Sequence, residues 1–240
     1  MHMKKLAALC IGLLMIVQSQ AQTADEIVNK YIDAVGGKAK LETLKTSYSE
    51  GEMSIMNNPA PFVSSVIDGK ASRSEISFNG QKIINCYSTG SGWTVNPLAG
   101  ITDPTPMPAE QAGMGPMTFD LKGPLYNYAA KGYKLSLAGK EKLNNADAYK
   151  LILTAKDSTE IDCYIDAASW LLLKTVIKVT AAGQPIEISI GSSSYQKTNL
   201  GLLMPFVSEV NYPGLSIVST TKIMDLNREI DPAIFLMPKK

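Results

Sequence analysis

Residues 23–44, TADEIVNKYIDAVGGKAKLETL, decide how this chain is read. Ile27, Val28, Tyr31, Ile32 and Val35 form one apolar stripe at helical period. Thr23 and Glu26 have capping-box spacing: the hydroxyl accepts from an early backbone N–H and the carboxylate reaches back. Gly36-Gly37 supplies the left-handed turn that ends a helix, and Leu41 and Leu44 mark a short second helical piece. No comparable long amphipathic helix follows. A lone helix cannot leave such a stripe in water, so it must lie against a sheet.

Everything after Lys45 reads as that sheet. Residues 46–56 alternate, with Gly51, Met53 and Ile55 on one face and Glu50, Glu52 and Ser54 on the other. Asn57-Asn58-Pro59 reads as a turn before a strand over 62–68. Residues 72–78 follow, with Ser74, Ile76 and Phe78 opposing Arg73, Glu75 and Ser77. Asn79-Gly80 is a hairpin signal, because both positions tolerate positive φ. Further strand-like runs continue to 216–227, which gives about eleven strands of a mainly β chain. Twist accumulates over so long a sheet, so it curls. The fold expected is an unclosed antiparallel β-barrel, with the N-terminal helix and short lid helices on its concave face. There is no repeat and no long linker, so residues 22–240 read as one domain.

The pattern breaks between Leu98 and Pro116. Pro104, Pro106, Pro108 and Pro116 exclude regular ladders, and Met107, Met114 and Met117 cluster with them. One helical turn is expected at 108–112 and a short helix at 121–130, with Leu125, Tyr126 and Ala129 facing inward.

Residues 1–21 read as a cleaved signal peptide: Lys4 and Lys5, an apolar run from Leu6 to Val17, then Ser19-Gln20-Ala21. The run is too short to span a bilayer comfortably. The expected location is therefore the periplasm, with no membrane-spanning segment in the processed chain. Processing removes two lysines and takes the net charge from +1 to −1. Such a charge gives no case for nucleic-acid binding. It also removes His2, the sole histidine, and with it every histidine-dependent triad or metal set. Cys86 and Cys163 sit within strands; paired, they would form a disulfide, but two buried apolar thiols are the simpler expectation.

Few residues suggest chemistry. There is no G-x-S-x-G, no S-x-x-K and no phosphate-cradling glycine loop, so no enzyme is expected. Glu160, Asp162 and Asp166 share a strand face with Tyr164. They could bind a hard cation, but they read as the solvated side of a half-buried strand, and no metal site is assigned. No cofactor is implied. Met107, Met114 and Met117 are candidates for an adaptable lid, since methionine fills irregular gaps. Trp93 is read either as core or as cavity wall. Met53, Ile55, Ile76, Phe78 and Ile84 are candidate wall residues.

The glycine pair at 36–37, the Trp93 strand ending in Pro97, and the run from Gly201-Leu202-Leu203-Met204-Pro205 through 220–227 (TTKIMDLN) to 231–235 (DPAIF) resemble the LolA/LolB-like lipoprotein-carrier superfamily. The resemblance covers most of the processed chain. It implies an unclosed barrel whose concave face takes acyl chains beneath a helical lid. It also implies a non-catalytic periplasmic carrier or receptor, with a lipid or acylated lipoprotein as partner and outer-membrane lipoprotein sorting as the setting. In carriers of this type an early-strand arginine helps hold the lid. By that resemblance Arg73 is the corresponding candidate, with Ile27 and Tyr31 on the lid itself. There is no cysteine at the processing site, which departs from the membrane-anchored type. The competing expectation is a cell-envelope interaction module whose concave face is filled by its own side chains.

Overall fold

The computed structural model describes residues 22–55, 58–156, 159–181 and 184–239. The expected signal peptide and the turns at 57, 157–158 and 182–183 lie outside the described residues.

Helix α1 (Ala24–Ala34) carries the capping box read from the sequence, with Thr23 N donating to Glu26 Oε2 and Glu26 N to Thr23 Oγ1. Gly36 and Gly37 both have positive φ, and α2 (Lys38–Thr43) follows. The Cα of Gly36 faces the 201–202 turn: a Cβ there would meet the Gly201 carbonyl at 3.2 Å.

The strands β1 (Thr46–Ile55), β2 (Asn58–Ile67), β3 (Ala71–Phe78), β4 (Gln81–Ser88), β5 (Ser91–Asn96) and β6 (Ile101–Pro106) form one meander. A second meander comprises β7 (Lys134–Leu143), β8 (Ala146–Thr154), β9 (Glu160–Asp166), β10 (Leu172–Ala181), β11 (Gln184–Lys197), β12 (Leu203–Tyr212) and β13 (Leu215–Leu226). The first and last strands, β1 and β13, pair at the centre and join the two into one antiparallel 13-stranded sheet. Its edges, β6 and β7, do not meet, so the barrel is unclosed. A bulge at Glu50/Gly51 sharpens the bend at that central seam.

Three expectations change. The sheet has thirteen strands, and one of those added, β6, lies within the proline-rich stretch. Pro104 and Pro106 are tolerated because β6 is an edge and needs donors on one side only. Likewise β2 begins at Asn58 and includes Pro59 and Pro61, because its ladder to β3 spans only Phe62 to Ile67. Residues 121–130 form successive turns and not a helix, although Leu125 and Tyr126 are buried as expected; Ala129 is exposed. The helical turn does form at α3 (Ala109–Ala112), and α4 (Gly115–Thr118) follows it.

Directly paired residues share a face, so the registers assign every strand position. One face is covered by α1. Ile27 is fully buried and Val28 nearly so, against Leu151, Leu153, Ile161, Cys163, Ile165, Ile177 and Ile188. Val35, Leu41 and Leu44 continue the contact to Leu202 and Leu226. Fully burying each of the larger side chains contributes about 1.5–3 kcal/mol. This is the concave face.

The opposite, convex face is covered over β3–β5 by a 3₁₀ turn at Pro232–Phe235, whose Phe235 packs on Ala71, Cys86 and Trp93. It also carries the acidic row of β9, and here the structure overturns a solvated reading. Asp162 is 2% exposed, and Tyr164 is buried too. Lys150 of β8 and Lys178 of β10 lie across the strand, with Nζ at 3.2 and 2.9 Å from Asp162 Oδ2. Their apolar stems supply the cover that the alternation did not reveal. Both cysteines are buried and free, on strands β4 and β9 that are far apart in the sheet order.

Candidate functional site

The concave face is the candidate site, and its lid has two parts. The first is α1 with α2. The second is the segment 107–133, which starts at the β5–β6 edge and returns over the same face. Met107 N donates to Gly92 O at 2.9 Å, and its sulfur lies 2.8 Å from where a Cβ of Gly92 would be. Thr118 Oγ1 and Ser72 Oγ are 2.5 Å apart. Gly115 lies against Tyr87 and Phe119, so that α4 can approach β4 closely. Gly69 N then donates to Phe119 O, and Asp68 receives Leu121 N and pairs with Lys122. Tyr126 enters the apolar cluster below α2, and Tyr128 donates to Asp25 of α1 at 2.6 Å. The two parts are thus one continuous cover along one side of the barrel.

Beneath α1 the face is filled by side chains of the protein itself. Over the central strands the concave residues are instead half-buried, among them Ser49, Met53, Ile55, Ser64, Ser74, Ile76, Ser208, Val210, Ile217 and Ser219. An apolar row crosses there without a break: Ile190, Val210, Ile217 and Ile55 are successive partners on β11, β12, β13 and β1. This row continues the packed core outward, since Ile190 pairs with Thr175, Thr175 with Cys163 and Cys163 with Leu151.

The residues singled out in the sequence divide between the faces. Met53, Ile55, Ile76 and Phe78 are on the concave face, as the pairings Met53–Ala60, Gly51–Phe62 and Phe62–Ile76 require. Met107 is buried on that face, whereas Met114 and Met117 are exposed on the outside of the lid. Tyr31 and Ile27 belong to α1 and point into the cover. Ile84 and Trp93 lie on the convex face, within the cluster under Phe235. They do not border the concave surface. Arg73 is on the convex face as well, donating to Ile234 O at 2.6 Å and pairing with Glu75 at 2.8 Å. It holds the C-terminal turn and not the helical lid. Strand alternation fixes which residues go together, but not which group faces the helix.

Charge follows the same division. On β1 to β5, all charged side chains among the described residues (Glu50, Glu52, Arg73, Glu75 and Lys82) point to the convex face. Burial raises the titration of groups below the lid: the Tyr195 hydroxyl is pushed up to about 12 and the Cys163 thiol to about 12. Tyr31 is pushed up further, by burial first and by Tyr195 second. All are neutral at physiological pH. Among the described residues no group of three His, Cys, Asp or Glu could hold a metal ion, and no helix is long and apolar enough to cross a membrane.

Two cavities lie away from the concave face. One of about 130 Å³, on the convex face, is bordered by Val63, Ser65, Arg73, Glu75 and Ile234. The other, about 730 Å³, is an open polar groove between the end of α2 and the ends of β1 and β13, bordered by Glu42, Lys45, Asn227 and Arg228 among others.

No family model matches the sequence, and no curated protein matches it significantly. Solved structures do resemble it. A DUF1329 family protein from Desulfovibrio piger superposes with a TM-score of 0.59 at 16% identity, over 90% of this chain and 98% of its own. A LolA superfamily protein from Nitrosomonas europaea gives 0.58 at 14% identity, over 90% and 98%. A domain from Vibrio parahaemolyticus described as outer membrane lipoprotein-sorting gives 0.57 at 14% identity, over 88% and 97%. At these identities the likeness is one of fold. By its fold, this chain is LolA-like.

Proposed function

We propose that this protein is an exported, non-catalytic carrier or receptor that holds the hydrocarbon part of a lipid or lipoprotein on its concave face. The observation that carries this reading is the apolar row from Ile190 to Ile55, which leaves the packed core at Val210 and continues half-buried onto β13 and β1. Apolar burial supplies the driving force, at about 0.8 kcal/mol per methylene. The fold shared with a lipoprotein-sorting domain and a LolA superfamily protein supports it. So does the absence of charged side chains of β1 to β5 from this face. Export and a periplasmic location are part of the same proposal and rest on the reading of residues 1–21.

In this reading the segment 107–133 is the movable half of the lid. It meets β3 and β4 through small contacts, Thr118 on Ser72 and Gly115 on Tyr87, while Leu125 and Tyr126 at its far end stay packed with α1 and α2. A disulfide between Ser72→Cys and Thr118→Cys tests it. The apolar fluorophore ANS should bind the native protein and be displaced by fatty acid. The oxidised double variant should lose that binding, and reduction should restore it. Binding of ANS that no fatty acid displaces would contradict the carrier reading.

A second reading is favoured by the packing of Ile27 and Val28, which leaves no hollow below α1. The protein would then be a cell-envelope interaction module with a self-filled barrel. It predicts no ligand-dependent change in stability.

A further inference from the structure

Cleavage after Ala21, the site read from Ser19-Gln20-Ala21, leaves Gln22 as the first residue of the exported chain. Gln22 stands immediately before Thr23, the N-cap of α1. We propose that Gln22 is a modification site: its freed α-amine closes on its own side chain, and the exported chain begins with pyroglutamate. This rests on the export reading and goes beyond it.

The step is balanced and takes no co-reactant. The neutral α-amine attacks Cδ of the carboxamide and the N–Cδ bond forms. The Cδ–Nε2 bond breaks, and ammonia leaves with the proton that the amine gives up. Nucleophile and electrophile belong to one residue, so proximity is already supplied. Gln22 Oε1 is buried and has no hydrogen-bond partner among the described residues. The carboxamide therefore turns toward its own amine without breaking a bond at that oxygen.

The geometry around Gln22 shows what closure preserves and what it removes. Thr23 N, which donates to Glu26 Oε2 at 3.0 Å, lies outside the ring, so the capping box survives. The terminal charge does not. A free terminus would set an ammonium beside the positive pole of α1, whose first turn carries Asp25 and Glu26 to meet that pole. Both carboxylates already hold contacts of the lid. Glu26 closes the box, and Asp25 Oδ1 accepts the Tyr128 hydroxyl at 2.6 Å, which ties α1 to the segment 107–133. An ammonium would compete for both. Pyroglutamate is neutral and does not, in the way that acetylation of a terminus removes its charge. The modified terminus thus leaves the two parts of the lid fastened to each other.

The test uses the full chain, expressed with residues 1–21 and isolated from its own cell envelope. Free amines are methylated reductively at harvest, so that closure during handling is not counted, and the N-terminal peptide is read by mass spectrometry. The expected peptide begins at residue 22, carries no methyl group on its terminus and is lighter than the Gln22 form by one ammonia. A methylated Gln22 terminus overturns the inference and leaves export standing, as does a processed chain that begins at another residue. A chain that keeps residues 1–21 overturns both. Gln22→Asn reads the consequence for the lid: its shorter carboxamide would have to close a strained smaller ring, so its amine stays free. At about pH 6, where an α-amine is protonated, and in low salt, this variant should melt about 1–4 °C below the unaltered protein. The gap should close in roughly 0.5 M salt, which screens the charge. Equal melting temperatures in low salt overturn the consequence drawn for the lid.

Discussion

The indole of Trp93 donates its N–H to the carbonyl of Phe235 at 2.9 Å, and the bond ties the end of the chain to the convex side of the sheet. Cys86 Sγ reaches the same oxygen at 3.2 Å, and Arg73 holds the preceding carbonyl. Three side chains from adjacent strands thus read two consecutive peptide groups. The sheet is sandwiched at both ends, by α1 on one face and by this turn on the other.

Truncation of the anchor should therefore be costly. Phe235→Ala removes a ring that is only 5% exposed, and a loss of about 3 kcal/mol is expected. Trp93 would become exposed at the same time, so native tryptophan emission should shift to the red. A melt with an unchanged midpoint would contradict the role given to this turn.

The thiols should be inert in the folded state. Burial pushes Cys86 up to about 11 and Cys163 to about 12, so both remain protonated at pH 8, and only the thiolate reacts. Titration with a thiol reagent should find no fast-reacting group in the native protein and two in denaturant, for the chain after processing. Because both are raised, their contribution to stability is complete below the ordinary thiol range. It declines as pH rises through that range toward 11 and 12. Tyr195, pushed up to about 12, acts in the same direction.

Asp162 is buried between two lysines of the flanking strands, Lys150 and Lys178. Replacing both by methionine, Lys150→Met with Lys178→Met, keeps the stems and leaves a buried carboxylate unpaired. Lys178 is 40% exposed and its pairing is partly screened, so a loss of about 2 kcal/mol is expected, at the low end for a buried pair. The sign with pH is specific. In the unaltered protein Lys150 is held above the ordinary lysine range, chiefly by hydrogen bonding to Tyr164, and its contribution is lost only as pH rises through that range. Chemical denaturation of both proteins at about pH 8 measures the loss.

Gly51 is the seam of the central bulge. A Cβ there would meet Thr220 O at 2.2 Å and the Phe62 ring at 2.7 Å. Backbone cannot yield as a flexible side chain would, so Gly51→Ala should cost about 3 kcal/mol in urea unfolding. It should also lift Phe62 and weaken ligand binding on the concave face.

Much of the architecture was legible in the chain. Thr23 with Glu26, the 36–37 glycines and the Ile27–Val35 stripe fixed α1, because caps and period are local. Asn79-Gly80 fixed the β3–β4 hairpin for the same reason, with Asn79 at φ 50 and Gly80 at φ 75. What escaped depends on partners distant in sequence. Pro59, Pro61, Pro104 and Pro106 look like strand breakers until the strand order shows that their donors are not needed. Asp162 looks solvated until Lys150 and Lys178 are placed on the flanking strands. Trp93 and Ile84 alternate correctly but face the C-terminal turn, since period 2 says nothing about which side the helix takes.

The central claim is that the half-buried central part of the concave face is occupied in life. Native mass spectrometry of the protein, purified from its own cell envelope under mild conditions, reads that occupancy directly. A stoichiometric adduct with the mass of one lipid, absent when the Ser72→Cys, Thr118→Cys lock is oxidised before loading, is the predicted result. A spectrum showing only the bare chain from that source, with none of an added fatty acid retained, would contradict it.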